Sequence, residues 1–219
     1  MDTRAVVFDI DGTMYPNWRM YVISLPFAVM NVRLLRHFAA ARRTIRTLPT
    51  PVDVHAVQSE MVARNLRVSR EKARELIDRK IYSSWERLLR HVRLFPQIET
   101  VVDQLRADGY ALGVLSDFPT NQKLDLLGLG GRWDVVLSSE EVGALKPDPA
   151  PFLEIAERLG MAPAEVLYVG NNYRYDVIGA KRAGMKAAHL ASRPPKDTIA
   201  DVSFDRFTGL LEWIRNNDD

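Results

Sequence analysis

The segment Ala5-Val6-Val7-Phe8 runs directly into Asp9-Ile10-Asp11-Gly12-Thr13. Four consecutive apolar residues leave no face for water, so the first segment reads as a strand buried on both sides, central in a parallel sheet. A sheet of that kind needs helices over both faces. Its leading strand ends on two carboxylates, and Gly12 allows a sharp turn immediately after them.

The chain beyond residue 95 supplies the covering. Strands are expected over residues 110–115, 135–137, 166–169 and 186–190, alternating with helices over 98–107, 121–127, 149–159 and 176–183, and with a terminal helix over 210–215. That alternation predicts a parallel sheet with helices on both faces. Gly128-Leu129-Gly130-Gly131 follows a helix rather than a strand, so it reads as a cap and turn, not a dinucleotide fingerprint. Residues 16–95 have a different texture. Leu34, Phe38, Ala41, Ile45 and Leu48 recur at helical spacing as one apolar stripe. Pro49, Thr50 and Pro51 break the pattern, and further helices are expected over 54–65 and 69–91. Ser69, with Glu71 in the first turn, is a candidate N-cap.

With 47% hydrophobic residues and a formal charge of +2, the composition excludes a disordered chain, which would pair low hydrophobicity with high net charge. The lack of cysteine excludes disulfides, thiolate metal sites and cysteine nucleophiles. Met1-Asp2-Thr3-Arg4 lacks the order of a signal peptide, and the uncharged stretch 20–32 is shorter than a spanning helix, so a cytoplasmic protein without stable membrane insertion is expected.

The small net charge hides an asymmetry. Arg19, Arg33, Arg36, Arg42, Arg43 and Arg46 lie between Gly12 and Val52 with no acid among them. The block reads either as a site for an anionic partner or as a solvated helix face. Residues 20–32 could lie in a membrane interface, although Pro26 is expected to interrupt a helix there. Self-association through the same stretch is a further reading.

Ligands of open parallel sheets bind beyond the carboxyl ends of the strands. Those ends carry Asp9 and Asp11, Ser116, the loop Lys146-Pro147-Asp148, and Gly170-Asn171-Asn172 with Asp176 further on. Two neighbouring carboxylates repel, and a hard divalent cation such as Mg²⁺ relieves the conflict. A carboxylate can attack phosphorus, a lysine can neutralise a phosphoryl oxygen, and a serine can donate to another. Phosphoryl transfer asks for little besides positioning and charge neutralisation.

These four segments, in this order, resemble the four signature motifs of the haloacid dehalogenase superfamily: Phe8-Asp9-Ile10-Asp11-Gly12-Thr13, Leu115-Ser116-Asp117, Lys146-Pro147-Asp148, and Val169-Gly170-Asn171-Asn172 through Asp176-Val177-Ile178-Gly179-Ala180. The resemblance implies an α/β fold with a Rossmann-like core, residues 1–15 and 96–219, and a helical type-one cap, residues 16–95, inserted after the first strand. It implies Asp9 as the nucleophile, Asp11 as general acid and base, and Lys146 as the group that neutralises nucleophile and phosphate. Ser116, Asp117, Lys146, Gly12 and Thr13 would surround the substrate, and Asp9, Asp11 through its backbone carbonyl, Asn171 and Asp176 would form the Mg²⁺ site. A halide leaves without a proton, so Asp11 favours phosphatase over dehalogenase chemistry.

Two positions depart from the family pattern. Asn171 stands where an aspartate usually binds the metal; its amide oxygen remains a hard ligand but brings no charge. Asp117 stands where a neutral residue is common, and its carboxylate is expected to cap the Phe118-Pro119 turn and point away. Met14, Tyr15 and Trp18 are expected to pack under the cap. His37, His55, His91 and His189 have no metal-ligand spacing, and Lys181 and Arg182 read as solvated. The leading reading is a Mg²⁺-dependent phosphatase acting on a small phosphorylated metabolite through an aspartyl phosphate, with no nucleic acid as partner. A catalytically weak binding or regulatory protein and a sugar phosphomutase are the alternatives. The arginine block, inside the cap, would recognise an anionic leaving group.

Overall fold

The computed structural model describes residues 3–120 and 122–217. Six parallel strands form one sheet: β1 (Ala5–Phe8), β2 (Ala111–Ser116), β3 (Val135–Ser138), β4 (Val166–Gly170), β5 (Lys186–Leu190) and β6 (Val202–Phe204), in the order β3-β2-β1-β4-β5-β6. β1 is central, as its apolar run predicts, with Phe8 opposite Val114 on one side and Val169 on the other. The strand order reverses between β1 and β4, which opens a crevice at their carboxyl ends.

Between β1 and β2 the chain makes α1 (Asn17–Met30), α2 (Val32–Ile45), α3 (Val54–Leu66), α4 (Arg70–Leu76), α5 (Ser83–Leu89) and α6 (Ile98–Ala107). Later helices are α7 (Lys123–Leu126), α8 (Ser139–Val142), α9 (Ala150–Arg158), α10 (Ile178–Arg182) and α11 (Phe207–Asn217). Side chains of a strand alternate between faces. Val6 and Phe8 therefore join Leu112, Val114 and Val169 under α6 and α11. Ala5 and Val7 turn the other way, joining Leu115 and Tyr168 under α9 and α10. A separate core of Leu34, Phe38, Ala41, Val62, Ala73 and Ile77 holds α2, α3 and α4 together. Truncating a residue such as Phe38 there would cost about 3–5 kcal/mol.

Several local expectations change. The predicted helix over 69–91 is three pieces: α4, capped by Ser69 accepting from Lys72 N at 3.1 Å, a π-helical stretch Ile77–Tyr82, and α5. Pro26 lies inside α1 and does not end it; a proline removes one backbone donor, and the remaining bonds carry the helix on. That helix buries only Met20 and Ser24 and leaves Tyr21, Val22, Leu25, Val29 and Met30 exposed. The short β6 and α8 carry too few residues for a periodic signal and are additions to the expected elements. α7 begins at Lys123, and the predicted start at Asn121 lies outside the described residues. No helix among the described residues is long and apolar enough to cross a membrane.

Candidate active site

Asp9 follows β1 directly and remains tied to the sheet, its N–H donating to Val169 O at 2.9 Å. The chain then turns, with Thr13 N and Met14 N both bonded to Ile10 O. Gly12 sits at φ +94°, and a Cβ there would come within 2.3 Å of Asn17 Nδ2 and 2.5 Å of Asn171 Nδ2. Only glycine satisfies both the dihedral and the crowding. The turn brings Asp9 and Asp11 to the same end of the sheet, where each carboxylate has its own lysine.

Asp9 is buried. Its Oδ1 accepts from Lys146 Nζ at 2.8 Å and its Oδ2 from Thr13 Oγ1 at 2.9 Å. Lys146 Nζ also reaches Asp176 Oδ1 at 2.7 Å and Tyr168 OH at 2.9 Å. Burial pushes the Asp9 carboxyl up to about 7, Asp176 and Asp11 add to the rise, and Lys146 opposes it. Burial works against the charge of Lys146 too, but the surrounding Asp176 and Asp9 carboxylates outweigh it and keep the ammonium protonated.

Asp11 is held differently. Its Oδ2 accepts from Lys123 Nζ at 2.8 Å, and its Oδ1 accepts from the Tyr15 hydroxyl and from Trp85 Nε1 at 3.3 Å. Burial would raise this carboxyl, yet the charge and hydrogen bond of Lys123, with the Tyr15 and Trp85 donors, hold it below the ordinary aspartate value. Ser116, fully buried at the end of β2, lies 3.4 Å from Asp11 Oδ2 and accepts from Phe118 N. Met14 and Tyr15 are buried, as expected, whereas Trp18 is exposed.

Asp117 does not cap the Phe118-Pro119 turn. Its Oδ1 accepts from Lys146 N at 3.0 Å and its Oδ2 from Arg46 Nη2, so the carboxylate is committed to α2 and to the Lys146 backbone rather than presented to a substrate. The solvated-face reading of the arginines also fails for Arg42. It is buried, ion-paired to Glu140 of α8, and donates to Asp117 O at 2.6 Å. Arg46 Nε adds a 2.8 Å bond to Lys146 O. The two arginines thus fasten α2 to Asp117, just after Ser116, and to the loop that carries Lys146. Lys181, read as solvated, pairs with Asp201.

The crevice contains residues that no motif indicated. Lys123 is the first residue of the four-residue α7, and Trp85 belongs to α5, remote in sequence from Asp11. Tyr168 was legible only as an odd hydroxyl in an apolar strand; it donates to Leu115 O while accepting from Lys146.

Among the described residues no three His, Cys, Asp or Glu side chains are grouped to hold a metal. Asp176, expected as a ligand, accepts at both oxygens, Oδ1 from Lys146 and Oδ2 from Asn172 N at 2.8 Å, just as Asp9 accepts from Lys146 and Thr13. Thr13 Oγ1 is shared between Asp9 Oδ2 and Asn171 Oδ1, at 2.9 and 3.4 Å, which places those two oxygens on one side of the loop. A carboxylate, an amide oxygen and the adjoining Asp11 backbone carbonyl are hard donors of the kind Mg²⁺ accepts beside water and phosphate. The residues fit that ion, with one formal negative charge among them.

The model of the haloacid dehalogenase-like hydrolases matches residues 3–184. The chain is 29% identical to a glyceraldehyde 3-phosphate phosphatase of Methanopyrus kandleri over 228 residues, covering 97% of each protein. It is 30% identical to a phosphoglycolate phosphatase of Salmonella typhi over 240 residues, covering 95% of this chain and 91% of that one. Among solved structures, an HAD phosphatase from Thermococcus onnurineus superposes with a TM-score of 0.66 at 28% identity, over 96% of this chain and 97% of that one. A 2-haloacid dehalogenase from Pseudomonas syringae superposes with a TM-score of 0.71 at 22% identity, over 97% and 98%, and shares the fold.

Proposed function

Because this chain belongs to the haloacid dehalogenase-like hydrolase family, we propose that it is a Mg²⁺-dependent phosphatase that hydrolyses a small-molecule phosphate monoester through an aspartyl phosphate on Asp9. One observation carries the reading: the two carboxylates at the end of β1 are separately paired, Asp9 with Lys146 and Asp11 with Lys123. One is thereby set up as nucleophile and the other as proton carrier.

In this reading Asp11 takes up a proton from solvent as the phosphate arrives, an Asp9 oxygen attacks phosphorus as the ester P–O bond breaks, and the leaving oxygen takes that proton from Asp11 to depart as the alcohol. Asp11, now a carboxylate, removes a proton from water; the hydroxide attacks phosphorus, Asp9 is released, and inorganic phosphate leaves. Lys146 offsets the charge building between Asp9 and the phosphoryl oxygens. Ser116 and the Gly12 turn face the transferred group, and Thr13 holds the second Asp9 oxygen. Asp9, Asn171 and the Asp11 carbonyl would hold Mg²⁺, which supplies charge neutralisation at the phosphoryl oxygens. Residues 16–95 act as the cap, and residues 1–15 with 96–219 as the catalytic core. Arg42 and Arg46 fix the two together in the closed arrangement, which excludes water.

Halide displacement would leave Asp11 without a task. A binding protein without turnover is favoured only by Asn171. Phosphate release from a panel of monoesters with Mg²⁺, including the glycolate and glyceraldehyde phosphates named for the relatives, tests the proposal. Turnover abolished by Asp9→Asn is expected; no release from any ester at saturating Mg²⁺ overturns it.

A further inference from the structure

We propose that the alcohol half of the substrate is bulky, apolar and aromatic; this rests on the phosphatase reading and names the ester class that the site takes. A cavity of about 540 Å³ lies between α2, α5 and the loop after β2, walled by Leu35, Phe38, Ile81, Tyr82, Trp85 and Phe118. Space on that scale suits a ligand of many heavy atoms, and a two- or three-carbon alcohol would leave most of it unfilled.

The cavity is joined to the chemistry at Asp11. Trp85 and Lys123 both line it, and both bond the Asp11 carboxylate. Asp11 itself lies behind these two wall residues, so an ester oxygen placed to receive its proton would have its carbon beside Trp85 and Lys123. The Phe118 ring stands near-parallel to Phe38 and to Trp85, at 6.4 and 6.3 Å between centroids, so the walls offer aromatic faces and edges to a guest ring.

The charges on the wall argue against a carboxylated leaving group. Arg42 is committed to Glu140, Arg46 to Asp117, and Lys123 to Asp11. Glu86 also lines the cavity and would repel a second anion. Arg43 is the one wall cation with no ion pair among the described residues, and it is exposed to solvent. A carboxylate drawn into this space would lose its hydration without a free buried cation to replace it. Of the arginine block, Arg42 and Arg46 serve cap-to-core attachment here, and neither is free to receive an anionic leaving group.

The test compares 3-phenylpropyl phosphate with propyl phosphate, two primary-alcohol esters of similar leaving-group basicity, and with 2-phosphoglycolate. With Mg²⁺, kcat/KM is expected to favour the phenylpropyl ester at least roughly tenfold over both, mainly through KM, the scale set by burying one ring-sized apolar group. Ala39→Trp, which fills the cavity from a position on its wall, is expected to collapse that ratio toward one. Calorimetric titration with 3-phenylpropylphosphonate, propylphosphonate and 3-phosphonopropionate reads the same preference without turnover. Equal or tighter binding of either small phosphonate overturns the inference. A retained preference for the phenylpropyl phosphonate, with no ester hydrolysed, supports it and overturns the phosphatase reading alone.

Discussion

Lys123 Nζ lies 2.8 Å from Asp11 Oδ2, on the opposite side of the carboxylate from the Tyr15 hydroxyl. The resting Asp11 is thereby a stabilised carboxylate, suited to take a proton from water. To act first as an acid it must gain a proton when the phosphate dianion arrives and raises its proton affinity. A lower Asp11 pKa shrinks the protonated fraction, so kcat/KM falls as pH rises through it. Lys123→Met removes the cation and raises that pKa. The falling limb of the kcat/KM profile should move to higher pH by roughly 1–3 units. An unmoved limb would show that Lys123 does not set the protonation of Asp11.

Asp9 gives a stability signature. Its carboxyl is pushed up to about 7 in the folded protein, against an ordinary aspartate value of 3.8. Between those values the native state holds a proton that the unfolded chain has released, so stability declines as pH rises across that window. Asp9→Asn lacks this loss. In chelator, the melting temperature of Asp9→Asn relative to the parent should therefore increase from pH 5 to pH 8, while hydrolysis disappears. A difference that stays constant across that range would remove the argument that Asp9 is strained by burial.

The carboxylates were readable from sequence because a buried strand has no other reason to end on charge, and the same holds for Ser116 and Lys146 at later strand ends. β1 to β5 and the stripe of α2 were readable from uninterrupted apolar runs or strict spacing. Arg42 was not. It sits in a run of arginines at helical spacing, and a buried cation is distinguished from a solvated one only by its partner, Glu140, which is 98 residues away. Lys123 and Trp85 escaped for the same reason: each acts on Asp11 from a different helix, and no local pattern links them. Asp117 stands out in the sequence, but Arg46 is equally remote, so local pattern alone gives its carboxylate to the following turn.

The Arg42–Glu140 pair makes that long-range contact measurable. Both side chains are buried, and Tyr82 OH donates to the same Glu140 oxygen at 3.0 Å. Removing one partner leaves an uncompensated buried charge, so Arg42→Met should cost about 3–5 kcal/mol of unfolding free energy in urea. Replacing both, as Arg42→Met with Glu140→Met, should recover most of the loss, since apolar side chains of similar volume need no counterion. A single variant within about 0.5 kcal/mol of the parent would mean that the pair is not desolvated.

Asn171 is where the metal site can be strengthened. Its amide oxygen adjoins the Asp9 carboxylate across Thr13, and among the donors facing that side only Asp9 brings a charge. Cation affinity depends on the charge count of the ligands. Asn171→Asp should tighten Mg²⁺ binding by at least several-fold in a calorimetric titration. Without metal, the new carboxylate would stand beside Asp9 and destabilise the fold through like-charge repulsion. Mg²⁺ should therefore raise the melting temperature of Asn171→Asp more than that of the parent, because a ligand bound only by the native state stabilises it in proportion to the logarithm of its saturation ratio. Both readouts report on residue 171 without turnover. If neither the affinity nor the Mg²⁺-dependent gain in melting temperature changes, the side chain at 171 does not face the cation, and Mg²⁺ is held without it.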